Sequence, residues 1–210
     1  MRVRIQNSHS LLPPSERKLI VVSSCVFSDV EIEKIESLAK TKCHQASATG
    51  FGENSVVSPD VRKSKVGWVD PVEWKWVYDR LWHHIKEVNA KHFGANINDL
   101  RYTKRQDCSQ TGHRLQISHY EESESSHYTW HLDVGGSNWS RKLSIVVQLS
   151  DGESYGGGVL QTNHGSGPQS LSKQRGTVII FPSWILHRVT PVTCGSRYSL
   201  VGWYPGQQWR

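Results

Sequence analysis

From Leu100 onward the chain reads as a succession of strand-length segments, at 100–106, 113–120, 127–133, 142–149, 157–162, 177–182 and 196–203, with Gly, Ser, Asn or Asp in most of the gaps. The clearest is Lys142-Leu-Ser-Ile-Val-Val-Gln-Leu149, which sets Leu143, Ile145, Val147 and Leu149 on one face and Ser144, Val146 and Gln148 on the other. Two helical stretches precede this run. Ser28-Asp-Val-Glu31 is a capping box opening a helix to about Lys40, with Val30, Ile32, Ile35, Leu38 and Ala39 on one face. Asp70-Pro71 opens a longer one, from Val72 to about Lys91, where Trp74, Val77, Leu81, Ile85 and Val88 recur at helical spacing. Two helices followed by antiparallel strands give an α+β, mainly β fold: a double-stranded β-helix (jelly-roll) barrel with helices bracing the outer face of one sheet.

The remaining stretches fill in around this frame. Residues 1–18, with Pro13-Pro14, form an extended arm or a first edge strand, and Leu19 to Phe27 a buried strand. Residues 41–61 are loop-like, with room for a strand in His44 to Thr49, and Lys63 to Val69 is another strand. With no internal repeat and no long linker, the chain is expected to be a single domain over 1–210, its N-terminal helical support ending about residue 99 and its core running from about 100.

Composition narrows the setting. The longest aliphatic run, Leu19-Ile-Val-Val22, is far short of the roughly 18 apolar residues of a membrane span. Met1-Arg-Val-Arg-Ile-Gln-Asn-Ser lacks the apolar core of a secretory signal, so a cytoplasmic location and no membrane partner are expected. Cysteines 25, 43, 108 and 194 show no Cys-x-x-Cys pair, which argues against a zinc ribbon or disulfide scaffold and for reduced, mostly buried thiols. A net charge of +6 favours an acidic partner, but the basic residues are scattered rather than gathered into a nucleic-acid stripe. His83-His84 lie about 100 degrees apart on the second helix and suit a surface better than a shared ion.

The chemistry concentrates in Tyr128-Thr-Trp-His-Leu-Asp-Val-Gly-Gly136. On an extended strand, side chains at i and i+2 share a face, so His131 and Asp133 present an imidazole and a carboxylate side by side. His187, in Phe181-Pro-Ser-Trp-Ile-Leu-His187, is the best-placed third ligand. Two histidines and one carboxylate leave open positions for reactants, the ligand set of non-haem Fe(II) oxygenases. Such an ion needs electrons to activate dioxygen, and a 2-oxo acid is a common donor whose far carboxylate needs a bidentate arginine. Arg197 lies ten residues beyond His187 and shares a strand face with Ser199; its alternative role is a strand-end salt bridge. Arg188 follows His187 directly and on a strand faces the opposite way.

Residues 115–204 resemble the iron(II)/2-oxoglutarate-dependent dioxygenases, and within them the prolyl 4-hydroxylase branch. The resemblance rests on Tyr120 before the His-x-Asp, Tyr128 three residues before its His, Gly157-Gly158 after the long strand, His187, Arg197, and the wording of His187-Arg-Val-Thr-Pro-Val-Thr and Trp203-Tyr204. It implies that His131, Asp133 and His187 hold Fe(II), with 2-oxoglutarate and O2 as cosubstrates and ascorbate as an accessory cofactor. It places Arg197, helped by Ser199, on the 5-carboxylate of 2-oxoglutarate, with Tyr120 lining the same pocket. Gln148 stands where some prolyl hydroxylases place a tyrosine opposite the arginine, and so falls among the cosubstrate residues. Tyr128, Arg141 and Trp203 match positions facing the peptide. Trp203 shares the face of Arg197, whereas Tyr128 reaches the metal side only through a bulge near Thr129-Trp130; both have ordinary barrel packing as their alternative.

The expected function is hydroxylation of prolyl residues in a peptide or protein. Oxidative demethylation of nucleic acid is the competing chemistry, but those enzymes commonly carry a second arginine six residues after the first, where this chain has Trp203. A catalytically silent barrel is the third reading, against which the intact triad and Arg197 argue.

Overall fold

The computed structural model describes residues 11–43, 45–46, 58–101 and 114–207. In chain order its strands are β1 (Val21–Ser23), β2 (Gln45–Ala46), β3 (Arg62–Lys63), β4 (Lys65–Trp68), β5 (Gln116–Glu121), β6 (His127–His131), β7 (Arg141–Gln148), β8 (Tyr155–Gly157), β9 (Leu160–Asn163), β10 (Gln169–Ser170), β11 (Val178–Pro182), β12 (Leu186–Val189) and β13 (Val192–Pro205). The helices are α1 (Asp29–Lys42) and α2 (Lys75–Val88).

The expected double-sheet barrel forms. One sheet has eight strands, ordered β1-β11-β7-β13-β5-β4-β2 with β8 added on β13; the other has five, ordered β10-β9-β12-β6-β3. The alternation of β7 sets the layering. Leu143, Ile145 and Val147 face outward and pack with Ile32, Ile35, Leu81 and Ile85 of the two helices, while Val146 points between the sheets with Ile179, Phe181 and Val189. Each fully buried aliphatic side chain here contributes roughly 1.5–3 kcal/mol. Both faces of β7 are therefore buried, one by helices and one by the second sheet.

The capping box starts α1 as expected. The Glu31 amide donates to Ser28 Oγ at 3.4 Å and the Ser28 amide to Glu31 Oε2 at 2.8 Å. Val30, assigned to the buried face, is instead 61% exposed, because the apolar stripe begins at Ile32. α2 starts three residues later than expected, since Asp70 accepts from the amides of Val72 and Glu73 and holds residues 71–74 in a turn. Its far end widens into a π-helical turn, Asn89–Phe93, closed by Gly94 with φ 65°. His83 is exposed beside Glu87 at 3.3 Å, whereas His84 is half-buried.

Other expectations shift in register. The strand at 19–27 shortens to β1, and that at 157–162 splits into β8 and β9 around Gly158. The strand at Lys63 to Val69 divides at Ser64, so that β3 joins the five-stranded sheet and β4 the eight-stranded one. Of the strand allowed within His44 to Thr49, β2 is described; most of the strand at 100–106 lies outside the described residues, as does Cys108. The expectation of mostly buried thiols fails among the described residues: Cys43 is buried, but Cys25, in the segment between β1 and α1, and Cys194, in the part of β13 that pairs with β8, are exposed. Among the described residues no helix is long and apolar enough to cross a membrane.

Candidate active site

His131 ends β6 and Asp133 follows in the bend, where its amide donates to the Ser183 carbonyl at 3.0 Å. His187 lies on β12 directly across from His131. The ligand-type atoms of the three residues all lie within 4.8 Å of one another. Asp133 Oδ1 is 3.8 Å from His131 Nε2, and Oδ2 is 3.4 Å from His187 Nε2.

Backbone carbonyls fix both imidazoles. Nδ1 of His131 contacts the Thr129 carbonyl at 2.8 Å, and Nδ1 of His187 the Ile185 carbonyl at 2.8 Å. A carbonyl only accepts, so each Nδ1 carries a proton and each Nε2 is turned to the space beside Asp133. Burial, joined by the neighbouring His187, pushes the pKa of His131 down to about 3. Burial works to raise that of Asp133, but His187, His131, Arg141 and the Ser144 hydroxyl, which donates to Oδ2 at 2.6 Å, together bring it below the ordinary carboxylate value. Two imidazole nitrogens and an ionised carboxylate converge on one point, a donor set that fits a divalent iron.

The triad opens into a cavity between the sheets. β13 supplies one wall, with Arg197, Ser199, Val201 and Trp203 on its inner face, and β5 contributes Gln116, Ser118 and Tyr120 beside it. Tyr128, Leu160 and Val189 close the opposite side. Arg197 is 1% exposed, donates from Nη2 to Gln148 Oε1 at 3.0 Å, and lies 5.3 Å over the Tyr120 ring. Its Nε and Nη1 are buried with no partner. A buried guanidinium with two idle donors fits a carboxylate brought in by a ligand.

The sequence-predicted residues fall into distinct positions. Tyr128 does reach the metal side, through a bulge: between the pairs His187↔His131 and Val189↔Tyr128, Arg188 of β12 opposes both Thr129 and Trp130 of β6. Its ring stacks on His131 with centroids 3.4 Å apart, and burial pushes its phenol up to about 12. Arg141 lies outside the cavity lining, its guanidinium 4.1 Å over Trp203 and donating to the Asp133 carbonyl at 3.3 Å. Gln148, expected beside the cosubstrate, is also outside the lining; it holds Arg197 from behind and donates to the Ser172 carbonyl at 2.9 Å. Arg188 faces away, bonded to Gln161 at 2.8 Å and 4.6 Å over Trp130.

Two features escaped the sequence. Ser144, on the inner face of β7, orients Asp133, and alternation could have placed it there. Arg62, on β3, lines the cavity and had no local signal, lying far from the triad at a break between two short strands.

Residues 115–205 match the model of the 2OG-Fe(II) oxygenase superfamily. The chain is 43% identical over 94 residues to a PKHD-type hydroxylase of a Synechococcus species, and 36% identical over 91 residues to one from Idiomarina loihiensis. In each case the alignment takes in 43% of this chain and 41% of the relative, so the chain spans about two fifths of the curated relatives it matches. Among solved structures it is similar to a Pseudomonas putida prolyl-4-hydroxylase, with TM-score 0.67 at 16% identity over 90% of this chain and 93% of that one. A Trichoplax adhaerens prolyl hydroxylase, solved with a hypoxia inducible factor oxygen degradation domain peptide fragment, gives TM-score 0.69 at 16% identity over 90% and 84%. The C-terminal half of the chain therefore carries a 2OG-Fe(II) oxygenase pattern on a prolyl 4-hydroxylase-like fold.

Proposed function

We propose, with that pattern and fold as the premise, that this protein is a 2-oxoglutarate- and Fe(II)-dependent dioxygenase that hydroxylates prolyl residues of a peptide or protein. The observation that carries the reading is the pairing, in one cavity, of the His131-Asp133-His187 triad with the two idle donors of Arg197. Nε2 of both histidines and the carboxylate of Asp133 would hold the iron. Bound there, Fe(II) and 2-oxoglutarate supply the oxidising power to insert one oxygen atom of O2 into a C–H bond, the cosubstrate leaving as succinate and CO2.

The chain's own residues do the rest. Arg197 neutralises the distal carboxylate of 2-oxoglutarate while Gln148 fixes the guanidinium plane, and Ser199 and Tyr120 border the same end. Ser144 holds Asp133 in orientation. Val146, Leu160, Val189 and Val201 keep the cavity walls apolar and limit water. A prolyl ring offers neither charge nor donor, so its recognition relies on aromatic walls, and Trp203 and Tyr128 stand as those walls. The solved relative holding a peptide fragment supports a peptide-sized substrate.

The test is incubation with Fe(II), 2-oxoglutarate, ascorbate as reductant, and a panel of proline-containing peptides, following succinate and the gain of one oxygen atom by mass. Trp203→Ala and Tyr128→Phe should depress peptide hydroxylation more than peptide-independent succinate release. Equal loss of both would assign those aromatics to packing, and faster turnover of a methylated oligonucleotide than of any peptide would overturn the prolyl reading.

A further inference from the structure

The cavity holds a second buried arginine that the chemistry above leaves unused. Arg62 is 8% exposed and bridges the two sheets from β3. Nε donates to Ser64 Oγ at 3.0 Å, and Nη2 to Gln116 Oε1 at 3.0 Å and to Ser118 Oγ at 3.3 Å. All three acceptors are neutral. Among the described residues Nη1 donates to no group and, unlike the orphan donors of Arg197, is not closed off but opens on the cavity, and no carboxylate lies within ion-pair distance of Arg62. Among the described residues Asp133 is the one acidic residue lining the cavity, and it faces the two imidazoles and Ser144. A buried guanidinium costs several kcal/mol unless an anion meets it, and a protein that supplies none leaves that place to a ligand.

Position says which ligand. Arg197 has its own partner in the cosubstrate, at the end of β13 nearest Tyr120. Arg62 sits beside Ser118 and Gln116, further along the same wall toward Trp203. Its guanidinium lies 4.7 Å over the Tyr128 ring, which in turn stacks on His131. Arg62 is thus separated from the triad by a single aromatic ring, a distance that about two residues of extended chain, roughly 7 Å, can span.

We infer that Arg62, with Gln116 and Ser118, is a binding site for a carboxylate carried by the primary substrate, on the hydroxylated residue or its immediate neighbour. This rests on the hydroxylase reading and narrows its substrate class: a prolyl residue bearing a free C-terminal carboxylate, or one flanked by Asp or Glu. The anion completes the donors of Arg62 and fixes the ring over the triad from the side opposite Arg197.

The test compares matched pairs on the metal- and 2-oxoglutarate-loaded protein: a peptide ending in proline as free acid and as amide, and an internal proline flanked by Glu or by Gln. The wild type should bind the acids about tenfold to a hundredfold more tightly by calorimetry, with a matching difference in KM. The pair showing the difference identifies the source of the carboxylate. Arg62→Gln should erase the preference, weakening the acids about tenfold or more beyond any loss shared with the amides, and Arg62→Lys should restore part of it. No acid preference in the wild type, or equal weakening of acid and amide in Arg62→Gln, would reduce Arg62 to a bridge between sheets and overturn the inference. A preference seen in binding without succinate release would instead sink the hydroxylase reading and leave the carboxylate site standing.

Discussion

A histidine offers a metal only the ring nitrogen that carries no proton, so the two carbonyls beside His131 and His187 decide more than orientation. The Thr129 and Ile185 carbonyls lie two residues before their histidines, within the same short segments, and hold Nδ1–H in each. Both rings therefore turn Nε2 toward the metal position before any ion arrives. A pH dependence follows. The folded protein resists protonating His131 until about pH 3, while the unfolded chain takes up that proton near 6.5. Between those values the unfolded state binds more protons, so stability is lost as pH falls, by at most about 1.4 kcal/mol per pH unit from this group. Urea unfolding of the metal-free protein should show that loss, and His131→Asn should flatten it between about pH 6 and 4. An unchanged slope in the variant would mean that His131 is already protonated in the fold. At this scale the sequence was eloquent about the triad, because His-x-Asp, His187 and Arg197 each stand in a readable pattern. It was silent about Arg62, whose role depends on a contact between β3 and β5 that no spacing encodes.

The strands determine what those residues can reach. β6 brings Tyr128 and His131 to one side only because it bulges against β12, and β7 serves helices and cavity at once through strict alternation. Alternation was legible in the sequence; strand ends were not, since the breaks at Ser64 and Gly158 depend on which sheet claims each half. Gly157 shows how such a break is enforced. It has φ 62°, and a Cβ there would come within 2.0 Å of the Pro191 carbonyl oxygen, which lies just before the strand that carries Arg197. Gly157→Ala should cost about 1–3 kcal/mol or more in thermal or denaturant unfolding. It should also weaken 2-oxoglutarate binding by displacing β13. Ser28→Ala serves as the control: it removes the α1 cap at a cost of about 1 kcal/mol with cosubstrate binding intact. Wild-type stability in Gly157→Ala would show that β8 and β13 part without consequence.

Over the whole molecule, the two sheets enclose a cavity whose polar groups are unevenly satisfied. Asp133 is surrounded by partners, whereas among the described residues Arg197 has two buried donors without a partner and Arg62 has no counter-ion. That imbalance marks a site built around anionic ligands rather than a barrel interior packed for stability alone. The helices take no part in it; α1 and α2 cover the outer face of the eight-stranded sheet and hold it rigid behind the site. The most direct test of the account is calorimetric titration of Fe(II) and then 2-oxoglutarate into the wild type, Asp133→Ala and Arg197→Met. The wild type should take up one iron per chain and then 2-oxoglutarate. Asp133→Ala should lose the iron, while Arg197→Met should keep the iron but bind 2-oxoglutarate about a hundredfold to a thousandfold more weakly, as expected for removing one partner of a buried ion pair. Iron retained at full stoichiometry in Asp133→Ala, or 2-oxoglutarate bound equally by Arg197→Met, would contradict it.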